Sequence, residues 1–139
     1  MSVINQINNY IASQPEAKRL DMQALHELIL KIVPNGTLWF LDGKNEAQKV
    51  IANPNIGYGT LTLTYTDGST KPFYKIGLSA NTTGISVYLM GIPDKNYLAQ
   101  NFAPKIGKAS VTGYCIKFKK LSDIHLPTLT EAISYCAQL

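Results

Sequence analysis

A chain of 139 residues with 45% hydrophobic and 16% charged side chains has room for one packed core and not for two, since single cores are commonest at about 100–150 residues. That composition excludes a disordered or fibrous chain. The net charge of +4 is unevenly spread, with five basic against six acidic side chains in residues 1–69 and eight against three in 70–139, which points any anionic partner to the C-terminal half.

One domain over residues 1–139 is therefore expected. The N-terminus MSVINQINNY has neither a basic n-region nor an apolar h-region, and no stretch approaches the ~18 apolar residues of a membrane span, so a soluble cytoplasmic protein without membrane contact is expected.

In chain order, Val3, Ile4, Ile7, Tyr10 and Ile11 recur at helical spacing and predict a short amphipathic helix over 2–12. Ser13-Gln14-Pro15-Glu16 reads as a stop followed by a capping box, Ser13 accepting from the Glu16 N–H with Pro15 in the first turn. The following helix is expected to reach about Val33 on a stripe of Ala17, Leu20, Ala24, Leu25, Leu28, Ile29 and Ile32, where Pro34-Asn35-Gly36 stops it. The apolar run at 37–41 predicts a first strand, and residues 42–53 one or two helical turns with Ala47, Val50 and Ile51 inward.

From Gly57 the period changes to two. Leu61, Leu63 and Tyr65 alternate with threonines up to an Asp67-Gly68 hairpin; Tyr74, Ile76 and Leu78 then alternate with Phe73, Lys75 and Gly77; Ile85, Val87 and Leu89 alternate with Ser86, Tyr88 and Met90. These runs predict a three-stranded antiparallel meander with one apolar face. Residues 94–103 predict a helix capped by Asp94, Tyr114, Ile116 and Phe118 mark a further strand, and a last helix starts near Leu126. The order α-α-β-β-β-β-α-β-α predicts an α+β fold, an antiparallel sheet of about five strands with helices packed on one face.

The stretch KIGKASVTGYCIKFKK (105–120) contains Gly-Lys-x-Ser, yet it is no phosphate loop. The first glycine of G-x-x-x-x-G-K-[ST] would fall on Phe102, Lys108 precedes Ala109, and a strand rather than a helix follows. Lys117 and Lys119 lie on the strand face opposite Ile116 and Phe118. Beside Lys75, Phe73, Tyr88 and Met90 they could form a basic surface for single-stranded nucleic acid, but a solvated lysine face is the simpler reading and nucleic acid is not the expected partner. Phe73, Tyr88 and Met90 could equally form a homodimer contact. His26 and His125 stand in no metal or triad spacing, the carboxylates are scattered, and Cys115 and Cys136 read as buried free thiols. No catalytic constellation, cofactor or metal ligand set is expected.

Taken in order, IGYG (56–59), YTDG (65–68), YKIGLS (74–79), ISVYLMG (85–91), IGK (106–108) and C-x-x-x-K-K-L-S-D-I (115–124), with an N-terminal Tyr-Ile-x-x-x-Pro, resemble the YdhG-like domain of unknown function, a small bacterial α+β family. The resemblance implies no activity. One branch of that family is frataxin-like in fold and associated with intracellular iron delivery, but Glu16, Asp21 and Glu27, interrupted by lysine and arginine, are a thin oxygen donor set for iron. The chain departs from its relatives at Ala80-Asn81-Thr82, where they carry Pro-Arg-Lys, and at Thr112-Gly113-Tyr114, where they carry a second Gly-Lys-Ser. The expectation is a non-catalytic binding module for a small anionic ligand or a protein partner, using a cleft near Tyr58, Lys75, Tyr88, Lys105 and Lys108.

Overall fold

The computed structural model describes residues 2–139. Helix α1 (Val3–Ala12) starts where the Ser2 hydroxyl accepts from the Asn5 amide at 3.2 Å, and it buries Ile7 and Ile11. Helix α2 (Glu16–Ile32) follows without the expected capping box. Pro15 occupies the position before the helix in an extended conformation, and Ser13 Oγ turns back to donate to the Tyr10 carbonyl at 2.6 Å. An orphan carbonyl at the end of α1 thus takes the hydroxyl that α2 would have used.

The buried stripe of α2 is Met22, Leu25, His26 and Ile29, rotated from the expected one, so that Leu20 is 62% exposed. Both stripes have helical spacing. The observed one prevails because it brings His26 to the hydroxyl of Tyr58 inside the core.

The sheet has six antiparallel strands, one more than expected: β1 (Leu38–Leu41), β2 (Asn55–Thr64), β3 (Thr70–Asn81), β4 (Gly84–Leu89), β5 (Ala109–Thr112) and β6 (Cys115–Phe118), in the order β1-β2-β3-β4-β6-β5. The additional strand is β5, part of a stretch expected to be only a connection. It pairs Ser110 with Lys117 and Thr112 with Cys115 across a two-residue turn, Gly113-Tyr114.

Residues 42–53 are not helical. The Asn45 side chain accepts from the amides of Ala47 (2.9 Å) and Lys49 (3.0 Å), Lys44 bridges to Val50, and the Gly43 carbonyl takes the amides of Ile51 and Ala52. A short polar side chain here offers the backbone closer partners than a helix would, and Val50 and Ile51 are left exposed. The helix expected over 94–103 is two short ones, α3 (Tyr97–Asn101) and α4 (Ala103–Ile106). Asp94 forms a local turn with the Asn96 amide instead of capping, and Pro104 fits the first turn of α4. Helix α5 (Leu126–Gln138) closes the fold.

One cluster forms the core. Ile56, Tyr58, Ile76, Leu78, Ile85, Val87, Leu89, Ile116 and Phe118 share one sheet face and meet Ile7, Ile11, Met22, Leu25 and Ile29 of the first two helices, Leu98, Phe102 and Ile106, and Leu129, Ala132, Ile133 and Cys136 of α5. The architecture is α+β with the helices on one side of the sheet. Among the described residues, no helix is long and apolar enough to cross a membrane.

Candidate functional site

The face away from the helices is divided by a kink in the β2–β3 ribbon. The ladder pairs Tyr58 with Ile76 and then Thr60 with Tyr74, skipping Gly59 and Lys75. Gly59 has φ of 74°, a conformation open to glycine. Beyond the kink the alternation is reset: Tyr74 crosses to the open face and lies over Gly57 and Gly77, whose missing side chains leave the space for it. Trp39 closes the same corner, its Nε1–H donating to the Gly59 carbonyl at 2.9 Å. The outer ribbon folds toward the 42–53 loop, because Lys71 lines the same cleft as Asn53 and Asn55, although a straight strand would hold Lys71 about 27 Å from Asn55.

On this face Trp39, Tyr74 and Tyr88 form an aromatic half, and Ser79, Ser86, Ser110 and Lys117 a small and basic half. Tyr74 is 5% exposed while Trp39 and Tyr88 are half-buried, and burial, with smaller contributions from Tyr88 and Cys115, pushes the Tyr74 hydroxyl up to about 12.

The residues expected to form a cleft are not brought to one place. Tyr58 is 1% exposed in the core and bonded to His26, so it cannot line an open site. Lys75 points to the end of α5, where its Nζ donates to the carbonyls of Ala137 and Leu139. The kink is the reason, since it removes Lys75 from the open face that regular alternation would give it. Tyr88 stays on that face, opposite Gly77 and Cys115. Lys105 lies exposed in the last turn of α4. Of the five, Lys108 lines an open groove.

That groove lies at the end of the sheet, with a volume of about 440 Å³, between the β3–β4 turn and the β5–β6 hairpin. Lys108, Lys117 and Lys119 line it together with Asn81, Thr83 and Ser110. Register places Ser110, Lys117 and Ser86 side by side across three strands, and Lys119 follows two residues on. Gly107 supplies the remaining lysine: with φ of 97° and no side chain it passes against the Asp123 carbonyl, and the Lys108 amide then donates to that carbonyl at 3.1 Å. The polar wall is ordered by Asn81, whose Nδ2 donates to Ser86 Oγ at 3.1 Å and whose Oδ1 accepts from the Thr83 amide and hydroxyl at 3.0 and 2.8 Å.

No carboxylate is among the lining residues, and among the described residues the side chains of Lys108, Lys117 and Lys119 make no hydrogen bond or ion pair. Three unpaired ammonium groups beside hydroxyls, in a concave site, can hold an anion by charge and by directed donors. Elsewhere among the described residues, no three His, Cys, Asp or Glu side chains gather where they could hold a metal. Both cysteines are free and buried, and burial raises each thiol above its ordinary value. No protein-family model, curated protein or solved structure matches the chain.

Sequence reasoning found Lys108, Lys117 and Lys119 but assigned the last two to a solvated face, and it missed Asn81, Thr83 and Ser110. The signal for Ser110 was present in Val111-Thr112-Gly113-Tyr114-Cys115, a hairpin turn between two β-prone runs.

Proposed function

We propose that the protein is a non-catalytic binding module for a small anionic ligand, held in the groove between the β3–β4 turn and the β5–β6 hairpin. The observation that carries this reading is the presence of Lys108, Lys117 and Lys119 in one cavity without a carboxylate in its lining. The ligand is held rather than transformed, because the groove offers ammonium groups and hydroxyls but no paired acid and base. Iron would find no oxygen-rich donor set there. A nucleic-acid strand would find no fully exposed ring for its bases in the aromatic half of the face, since Tyr74 is buried and Trp39 and Tyr88 are half-buried. The fold class fits the resemblance to the YdhG-like family, which itself supplies no activity to transfer.

Thermal shift with inorganic phosphate and phosphate monoesters tests the reading. A ligand at a hundred times its Kd should add about 2.7 kcal/mol of stability, and Lys117→Ala should remove most of that gain. Equal stabilisation of wild type and the Lys117→Ala and Lys119→Ala variants would place any bound anion elsewhere.

A further inference from the structure

We infer that the ligand of this groove is a polyphosphate-type chain with at least two anionic groups, the second lying across the Asn81–Gly84 turn in a neighbouring cleft. The inference rests on the groove being the anion site. The neighbouring cleft, about 250 Å³, is lined in part by Lys18, Asp21, Thr83, Lys119 and Lys120. Thr83 and Lys119 line both spaces, so the two are neighbours across the turn.

The end of β6 makes this adjacency useful. The strand ends at Phe118 and the chain bends at Lys119, so that Lys119 lines both spaces and Lys120 the far cleft. A ligand crossing that end meets cations along its whole path. Lys18 is held at the far rim by donating to the Asn81 carbonyl at 2.5 Å, and it keeps further N–H groups for a ligand. Asp21 is the one carboxylate among the residues lining the two spaces, and its Oδ2 is committed to the Leu121 amide at 3.1 Å.

The charges decide between one anionic group and several. A single phosphate dianion is more than matched by the three groove lysines alone, which leaves Lys18 and Lys120 with Asp21 as the one anionic group of their cleft. Five ammonium groups against one carboxylate leave an excess of four, suited to a chain with about that many negative charges. Asp21 makes the far cleft the less positive of the two, so the end of the chain with the higher charge belongs in the groove.

Titration calorimetry at fixed ionic strength with phosphate, pyrophosphate and tripolyphosphate tests this on the wild type and on Lys117→Ala, Lys120→Ala and Asp21→Asn. Lys117 and Lys120 are exposed and Asp21 half-buried, where Asn keeps an acceptor for the Leu121 amide. Tripolyphosphate should bind wild type on the order of tenfold more tightly than phosphate. Lys120→Ala should remove most of that advantage while leaving phosphate affinity unchanged, Asp21→Asn should increase it, and Lys117→Ala should weaken every ligand. Tripolyphosphate binding that is indifferent to Lys120→Ala, or phosphate binding that falls equally with it, would overturn the extended site and leave the groove standing. Failure of all three anions to bind would instead remove the groove reading itself. An oligothymidylate that binds more tightly than tripolyphosphate, with the same lysine dependence, would overturn the assignment in favour of a nucleic-acid strand.

Discussion

The Tyr58 hydroxyl and His26 Nδ1 lie 2.6 Å apart, joining the middle of α2 to the middle of β2 inside the core. Tyr58 is 1% and His26 8% exposed, so neither group has water as a substitute partner. With the imidazole neutral and its proton on Nε2, the phenol donates and both polar groups are satisfied. Tyr58→Phe removes the donor and strands a buried imidazole nitrogen. It should cost about 1–3 kcal/mol in urea denaturation, with an unchanged m-value.

The same pair sets a pH dependence. Burial lowers the His26 pKa from its ordinary value, and Glu27 beside it raises it by a smaller amount. The unfolded chain takes up this proton near pH 6.5, the folded chain only at lower pH. The stability is therefore complete above about pH 6.5 and is lost as the pH falls from there through the depressed folded value. Melting temperature should be level from pH 8 to 7 and decline toward pH 5, and His26→Gln should flatten that decline. A melting temperature that rises on acidification would contradict the buried neutral histidine.

Gly57 is where the open face tolerates least. A methyl group there would stand 2.5 Å from Tyr74 Cβ and 2.8 Å from Trp39 Cβ, atoms next to the backbone that cannot rotate away. Gly57→Ala should destabilise by about 1–3 kcal/mol through overpacking. Because the Trp39 indole is held against the Gly59 carbonyl, a red shift of its fluorescence should accompany the loss.

Lys75 gives α5 its C-terminal partner. Its ammonium group meets the carbonyls of Ala137 and Leu139, where a cation is favoured by orphan carbonyls and by the helix dipole. Lys75→Met keeps the apolar stem and removes the charge. A loss of about 1 kcal/mol is expected, with faster amide exchange confined to the last turn of α5. If Lys75 served the anion groove instead, this variant would weaken phosphate binding and leave that exchange unchanged.

Much of the fold was legible because its cause is local. Helix α1, α5 and the later part of the meander, Ile76–Leu78 and Ile85–Leu89, follow hydrophobic periods that the sheet and core then use, whereas Leu61, Leu63 and Tyr65, expected on the apolar face, lie outside the core. What escaped depends on contacts distant in sequence. The α2 stripe turned because His26 meets Tyr58, 32 residues on. Lys75 left the open face because a single glycine reset the alternation, and period-two reasoning has no means of detecting such a step. The lysines of the groove were visible as charges; their enclosure was not, because it needs β5 beside β6 and the Asn81–Gly84 turn beside both.

The kink at Gly59 and Lys75 also separates two obligations within one ribbon. Everything from Ile76 onward is bound to the core by its register with β2 and β4. Thr60–Thr64 and Thr70–Tyr74 pair with each other and otherwise meet the corner beneath Tyr74 and the cleft of the 42–53 loop that Lys71 lines. Two residues added on each side of the Asp67-Gly68 turn would lengthen the ribbon and leave every core pairing in place. The reach of that ribbon is thus an adjustable dimension of the molecule, open to change by insertion while the fold beneath it stays constant.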